Sequence, residues 1–339
     1  MKSIIVLSII LAASATVASA QNRTEDFEIT LPEQKIPNSH YRSIAFIDSR
    51  YDTSHMGIVQ LGAFNKKAKV NPKVPLSNQL TNVLNALVDS SAMEGELLFQ
   101  LRQFSFAEIT GATSERGYCY MRAILYEKNG GMYHKLGTID TVILIKSFDV
   151  TRPLFRRSSY LISTFIADHL VQAPVVTRAF TFNDVLNLDQ LEKRDIPVYA
   201  TSSYKDGLYE TYQSFMQQLP DKAIEVTMKK DKISDVKTTG VDGKKEKVRA
   251  KEIYAIVHKG QPFIATDYGY YPLQKSGDDF YFTGKAKVTA NTGDVIVAGV
   301  FFGIIGTLIA SDASSLFEMK LDHLNGGFMR IREIKEPTQ

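Results

Sequence analysis

Residues 117–145, GYCYMRAILYEKNGGMYHKLGTIDTVILI, constrain the fold more than any other stretch of this chain. Strand-forming residues run up to Asn129-Gly130-Gly131 and resume beyond it, which is the signature of an antiparallel hairpin. The flanking segments supply the rest of a first region over residues 40–175. SIAFID (43–48) reads as a short strand, followed by a polar loop that ends near Pro75. In LSNQLTNVLNALVDSS, Leu80, Val83, Leu84 and Leu87 recur at helical spacing, with Ser77 placed to cap the helix. ELLFQLRQFSFAEI alternates Leu97, Phe99 and Leu101 with Gln100 and Arg102, as a strand does. SSYLISTFIADHL (158–170) closes the region as a helix with Leu161, Phe165 and the 169/170 pair inward. The predicted order is strand, helix, three strands, helix.

Residues 21–39 are polar, contain two prolines and read as an extended leader. Residues 176–200 form a linker with a short helix at NDVLNLDQLEKR. A second region follows over 201–339. YKDGLYETYQSFMQQLP presents Leu208, Tyr212, Phe215 and Met216 as one helix face ended by Pro220. Short strands are predicted around 224–239, 247–257, 262–266 and 279–283, and LFEMKLDHLNGGFMRIREI makes a closing hairpin with its turn at Asn325-Gly326. The expected class is α+β: an α/β-type region followed by a mainly antiparallel β region with one leading helix and an apolar Gly-rich insert.

The first twenty residues set the expected compartment. Lys2, the apolar run from Ile4 to Leu11 and Ala18-Ser19-Ala20 make a cleavable secretory signal, with the cut between Ala20 and Gln21. Gln21 is not a cysteine, so no lipid is expected there, and the mature chain is expected in the periplasm or at the outer membrane. Cys119 is the only cysteine, so an intrachain disulfide is excluded and stability must come from burial. Lys and Arg total 40 against 37 Asp and Glu, too even a balance for a global field that attracts nucleic acid.

The second region's YKDGLYETYQSFMQQLP, its EIYAIVHKGQPFIATDYGYYPLQKSGDDFYFTG and the Gly-rich insert before a last hairpin resemble exported proteins of unknown function from Gram-negative envelopes. The element order of the first region is similar to auxiliary subunits of ABC-type envelope lipid transporters and to the α/β domain of secretion-pore lipoproteins. Those families carry a lipidated cysteine that this chain lacks. The resemblance implies an envelope location.

Val295 to Ala310 contains Thr307 as its only polar residue. As a helix it would be about 24 Å long, short of the ~30 Å hydrocarbon core of a bilayer. Gly299, Gly303, Gly306 and Ala310 would share one face and suit close packing against protein, including a second copy of this chain. Flanking lysines and arginines show no bias toward the downstream side, which argues against a span. Packing is the expectation.

Sequence spacing offers little chemistry. The histidines at 40, 55, 134, 169, 258 and 323 form no HExxH or close pair, so no metal site is expected. Ser-x-x-Lys occurs at Ser202/Lys205 and Ser234/Lys237 without partner motifs. No catalytic residue and no cofactor is implied. The densest polar cluster is DSRYDTSH, where Asp48, Arg50, Asp52 and His55 follow the first strand and suit a cation or an anionic headgroup. Residues 222–251 carry ten Lys or Arg against five acids, which reads as the solvated face of a hairpin with an anionic surface contact as the alternative. The leading reading is an exported, non-enzymatic envelope binding or assembly module that contacts other proteins, itself or the membrane surface. The rival is a secreted hydrolase with a site assembled from distant residues.

Overall fold

The computed structural model describes residues 23–62, 66–110, 113–172, 178–240, 242–287 and 314–334. Strands β1 (Thr24–Phe27), β2 (Tyr41–Asp48), β3 (Gly57–Leu61) and β4 (Lys66–Pro72) lead into helix α1 (Leu76–Leu87). The long strands β5 (Gly95–Thr110), β6 (Glu115–Asn129) and β7 (Met132–Ser147) follow, then helix α2 (Thr151–Ala167) and the two-residue β8 (Ala179–Phe180). All eight strands join one mixed sheet in the order β1-β4-β3-β5-β6-β7-β8, with β2 also on β5. β5 serves two parallel partners in series, β2 along Gly95–Leu101 and β3 at Phe106 and Ala107. The hairpin between β6 and β7 turns on Gly130 (φ 57°) and Gly131 (φ 81°), the left-handed pair that a two-residue type I′ turn requires.

A bulge between Leu101 and Gln103 explains how β5 keeps one face apolar although its sequence parity changes midway. Leu97, Phe99 and Leu101 before it, and Phe104 and Phe106 after it, all enter the same core. There they meet Leu80, Val83, Leu84 and Leu87 of α1 and Leu154, Ile162, Phe165 and Ile166 of α2. Phe27 stands edge-on to Phe104 and Phe155, with ring centroids 5.1 and 5.5 Å away. Cys119 lies fully buried in this layer, where burial pushes its thiol up to about 12.

Several local expectations change here. The leader is part of the sheet: β1 pairs parallel with β4 from Thr24↔Lys69 to Phe27↔Pro72, and the Ile29 amide donates to Gln79 Oε1 at 2.7 Å. The segment expected as a loop up to Pro75 contains β3 and β4. Pro75 precedes α1, and no side chain caps it, so Ser77 is not the cap. α2 starts at Thr151 rather than 158, and its inward face is set by Leu154, Ile162 and Ile166 as well as Phe165. Leu170 is buried beyond its end, while the His169 ring bonds the Phe165 carbonyl at 2.7 Å.

The chain then crosses the sheet's other face through short helices α3 (Phe182–Leu186), α4 (Leu188–Arg194) and α5 (Pro197–Ala200). The stretch expected as one helix from Tyr204 splits into β9 (Gly207–Tyr209) and α6 (Tyr212–Met216), because Thr211 forms a capping box with Ser214 that starts the helix late. Next come β10 (Ile224–Lys229), β11 (Lys232–Thr239) and β12 (Lys245–Lys247), which form a three-stranded antiparallel sheet. β13 (Ala255–His258), β14 (Gln261–Thr266) and β15 (Gly269–Pro272) join β9 in a second sheet. β16 (Gln274–Ser276), β17 (Asp279–Lys287), β18 (Ser314–Leu321) and β19 (Phe328–Ile334) make a third. Phe215, Phe280, Phe282, Phe317 and Phe328 share their core. The class is α+β, with a mixed sheet and its helices followed by antiparallel sheets.

β17 and β18 pair from Tyr281↔Lys320 to Lys287↔Ser314, so the chain leaves and re-enters this sheet at adjacent points. The apolar stretch between them, with Gly299, Gly303, Gly306 and Ala310, and the Ala20–Gln21 junction both lie outside the described residues. No described helix is long and apolar enough to cross a membrane.

Candidate functional site

The loop after β2 brings Asp48, Arg50, Asp52 and His55 close together, and mostly onto one another. Arg50 Nε and Nη2 donate to Asp48 Oδ1 and Oδ2 at 2.8 and 2.7 Å, and Nη1 donates to the His55 carbonyl at 3.0 Å. Asp52 accepts from the Ser54 amide and hydroxyl at 2.8 and 2.6 Å. His55 Nδ1 accepts from the Gly57 amide at 2.9 Å, which leaves the ring proton on Nε2, 3.8 Å from Asp52 Oδ2. Burial holds His55 below its ordinary pKa, with Asp52 opposing that shift. The cavity beside these residues is about 30 Å³ and also borders Phe104 and Arg330, room for little more than a water. Gly57 closes the loop at φ 91°, where a Cβ would run into the backbone of Phe106. The loop's charges thus brace the entry to β3.

A second group lies on the sheet face opposite α1 and α2. Arg102 Nη1 and Nη2 donate to Glu192 at 3.0 and 2.6 Å, and Nη2 also reaches Asp189 at 2.5 Å. Both acids stand on α4. His323, in the loop between β18 and β19, places Nε2 2.9 Å from Glu192. Burial opposes ionisation of Glu192, yet hydrogen bonds from His323 and Arg102 outweigh it and hold the carboxyl at about 2. Arg122 on β6 grips Asp322 with two hydrogen bonds of 3.1 and 2.9 Å and meets Asp140 at 3.0 Å. Lys193 and Lys320 both pair with Asp279, at 2.6 and 2.8 Å. A cavity of about 140 Å³ opens between these pairs, lined by Ser49, Tyr51, Tyr120, Arg122, Lys320 and His323 among others.

Asp189, Glu192 and His323 bring their ligand atoms within 4.8 Å of one another, the reach of a metal site. Arg102 already sits hydrogen-bonded to both carboxylates, so a divalent cation would have to displace its buried guanidinium. The arrangement suits a structural ion-pair seam better than a metal centre. Its partners are distant in sequence, Arg122 and Asp322 being 200 residues apart, and no local motif marks them. Only the outward alternation of Gln100 and Arg102 on β5 hinted at a polar second face.

The third group is the end of the β10–β11 hairpin. Lys230 (φ 49°) and Asp231 (φ 60°) form its two-residue turn. Directly below it Lys229 stands opposite Lys232, two like charges as cross-strand partners. Farther down, Lys245 pairs with Glu225 at 2.6 Å and Lys247 with Asp235 at 3.3 Å. Among the described residues, Lys229, Lys230 and Lys232 form no ion pair, and Met228 is exposed beside them. Ser234, of the second Ser-x-x-Lys, donates its hydroxyl to the Thr227 carbonyl at 3.0 Å within this hairpin.

No protein-family model and no curated protein matches this sequence. Among solved structures, the chain is similar to a crystal structure of protein XCC0632 from Xanthomonas campestris, of the DUF330 family. The two are 10% identical, the match covers 43% of this chain and 92% of that one, and the TM-score is 0.28, too low to define a shared fold.

Proposed function

We propose that this chain is an exported, non-enzymatic envelope module for binding or assembly, and that the tip of the β10–β11 hairpin is where it meets an anionic surface. The observation that carries this reading is the facing pair Lys229 and Lys232. Like charges directly opposite on a sheet destabilise it, and of the two turn residues Lys230 adds to the repulsion while Asp231 offsets part of it. An external anion lying against the tip would relieve that repulsion. An exposed methionine next to the lysines suits a headgroup layer, where apolar and cationic groups act together. The seam of buried ion pairs suits an assembly module, since its acids and bases are paired with one another between the sheet and the second region.

The test is co-sedimentation of the mature chain with vesicles of phosphatidylglycerol and phosphatidylcholine, against vesicles of phosphatidylcholine alone. Binding is expected only with the anionic lipid and should fall as salt rises. Replacing Lys229 and Lys232 by alanine leaves the turn intact and should weaken binding about thirtyfold at low salt, from about 1 kcal/mol per lysine near an anionic membrane. Equal binding to neutral vesicles, or no loss in the double variant, would reject the tip as the contact.

A further inference from the structure

We propose that two copies of this chain join edge to edge through β7, antiparallel, about a two-fold axis at Ile143, so that the large sheet continues from one copy into the other. β7 pairs with β6 along its whole length, but among the described residues its outer edge is covered only at Tyr133 and His134, by β8. Thr138 to Ser147 therefore presents, among the described residues, a row of unpaired backbone groups over ten residues. This edge has little protection beyond two charges, Asp140 and Lys146. The segment TIDTVILIKS holds no proline, and the one register irregularity between β6 and β7 lies earlier, between Leu125 and Tyr126. Its side chains are the β-branched and aliphatic types that favour further strand pairing.

The pattern of the edge selects a second copy as its occupant. Asp140 and Lys146 are the only charged residues of the segment, and they lie three residues on either side of Ile143. In the antiparallel pairing about Ile143, Asp140 of each copy stands opposite Lys146 of the other, on the same sheet face. Val142 then meets Leu144, Thr141 meets Ile145, and Ile143 meets its own counterpart. The Asp140 carboxylate keeps its exposure while contacting Arg122 at 3.0 Å, so a second cation can reach it. Leu144 is 53% exposed and Phe148, just past the strand, is 88% exposed, and this pairing covers both. Paired residues run from Ile139 to Ser147, which gives roughly eight to ten new backbone hydrogen bonds. They stop short of the stretch that β8 occupies, so β8 and the second copy share the edge without competing.

Sedimentation of the mature chain in the micromolar range should show a dimer. Cys119 is buried, so Ile143→Cys introduces the one accessible thiol, and mild oxidation should give a covalent dimer, because residues at the axis face each other at disulfide distance. Thr138→Cys should not cross-link, since its two copies lie about 33 Å apart in this register. Lys146→Glu sets two acids face to face twice per dimer and should weaken dimerisation about tenfold. A monomer throughout that range, cross-linking of Thr138→Cys as readily as Ile143→Cys, or a dimer indifferent to Lys146→Glu would each overturn the proposal.

Discussion

Arg122→Ala lowers the unfolding free energy by about 3–5 kcal/mol, the loss expected when one member of a buried ion pair is removed and the other is left behind. Arg122 and Asp322 are 6% and 5% exposed, and among the described residues the guanidinium supplies two of three hydrogen bonds to the Asp322 carboxylate. The third, from the Leu324 amide at 3.0 Å, cannot neutralise its charge. Burial disfavours the charged guanidinium, yet Asp322 and Asp140 overcome that and raise its pKa. Replacing both partners, as Arg122→Met with Asp322→Leu, should recover most of the loss, because no uncompensated charge then remains. Arg102→Ala should be milder, as Asp189 is half exposed and Glu192 retains His323. Urea denaturation reads all three. Since Arg122 lies on β6 and Asp322 between β18 and β19, Arg122→Ala should also separate the melting of the large sheet from that of the C-terminal sheets. A loss under 1 kcal/mol with one unchanged transition would mean that the pair holds nothing together.

Much of the fold could be read from local pattern, and most of the seam could not. The β6–β7 hairpin was legible because Gly130 and Gly131 are required by the turn itself. The α1 face was legible because Leu80, Val83, Leu84 and Leu87 all reach one core. β1, β3 and β4 were missed for a common reason. They are short, two of them carry several lysines or acids, and their pairing is dictated by β5 and by each other rather than by their own alternation. The start of α2 was missed because its first turn is Thr151-Arg152-Pro153, where a proline is tolerated, before Leu154 enters the core; Ser158, Ser159 and Ser163 are also buried. Ser159 accepts from the Thr30 amide at 2.7 Å, a contact across 129 residues. The loop of Asp48, Arg50, Asp52 and His55 was legible as a cluster, but spacing could not reveal that Arg50 would turn back onto Asp48. The charges of the seam come from β5, β6, β7, α4, β17 and β18 and the turn before β19, and only the tertiary fold assembles them.

Glu108→Gln stabilises the protein at pH 8 by about 3 kcal/mol and leaves it nearly unchanged near pH 4.5. Glu108 ends the buried part of β5, accepting from the Thr151 hydroxyl at 2.7 Å and the Gln60 amide at 2.6 Å. Burial pushes its carboxyl up to about 7; the hydrogen bonds from Thr151 and Gln60 oppose this, and the nearby acids Glu115 and Asp149 add to it. In the unfolded chain the same group titrates near 4.5. Below that value both states hold the proton and the group has no effect on stability. Between about 4.5 and 7 the folded state retains a proton that the unfolded state has released, so stability falls as pH rises. Above 7 both states are ionised and the folded state carries the full penalty of a buried carboxylate. Glutamine keeps the shape, with its oxygen able to accept from Gln60 and its amide able to donate to Thr151, and it has no proton to lose. Urea titrations of both proteins from pH 4.5 to 8 isolate the contribution, because every other titrating group is shared. The difference between them should grow with pH through that window and then level off. A constant difference would show that Glu108 is ionised in the fold already at pH 5, and that its two hydrogen bonds outweigh its burial.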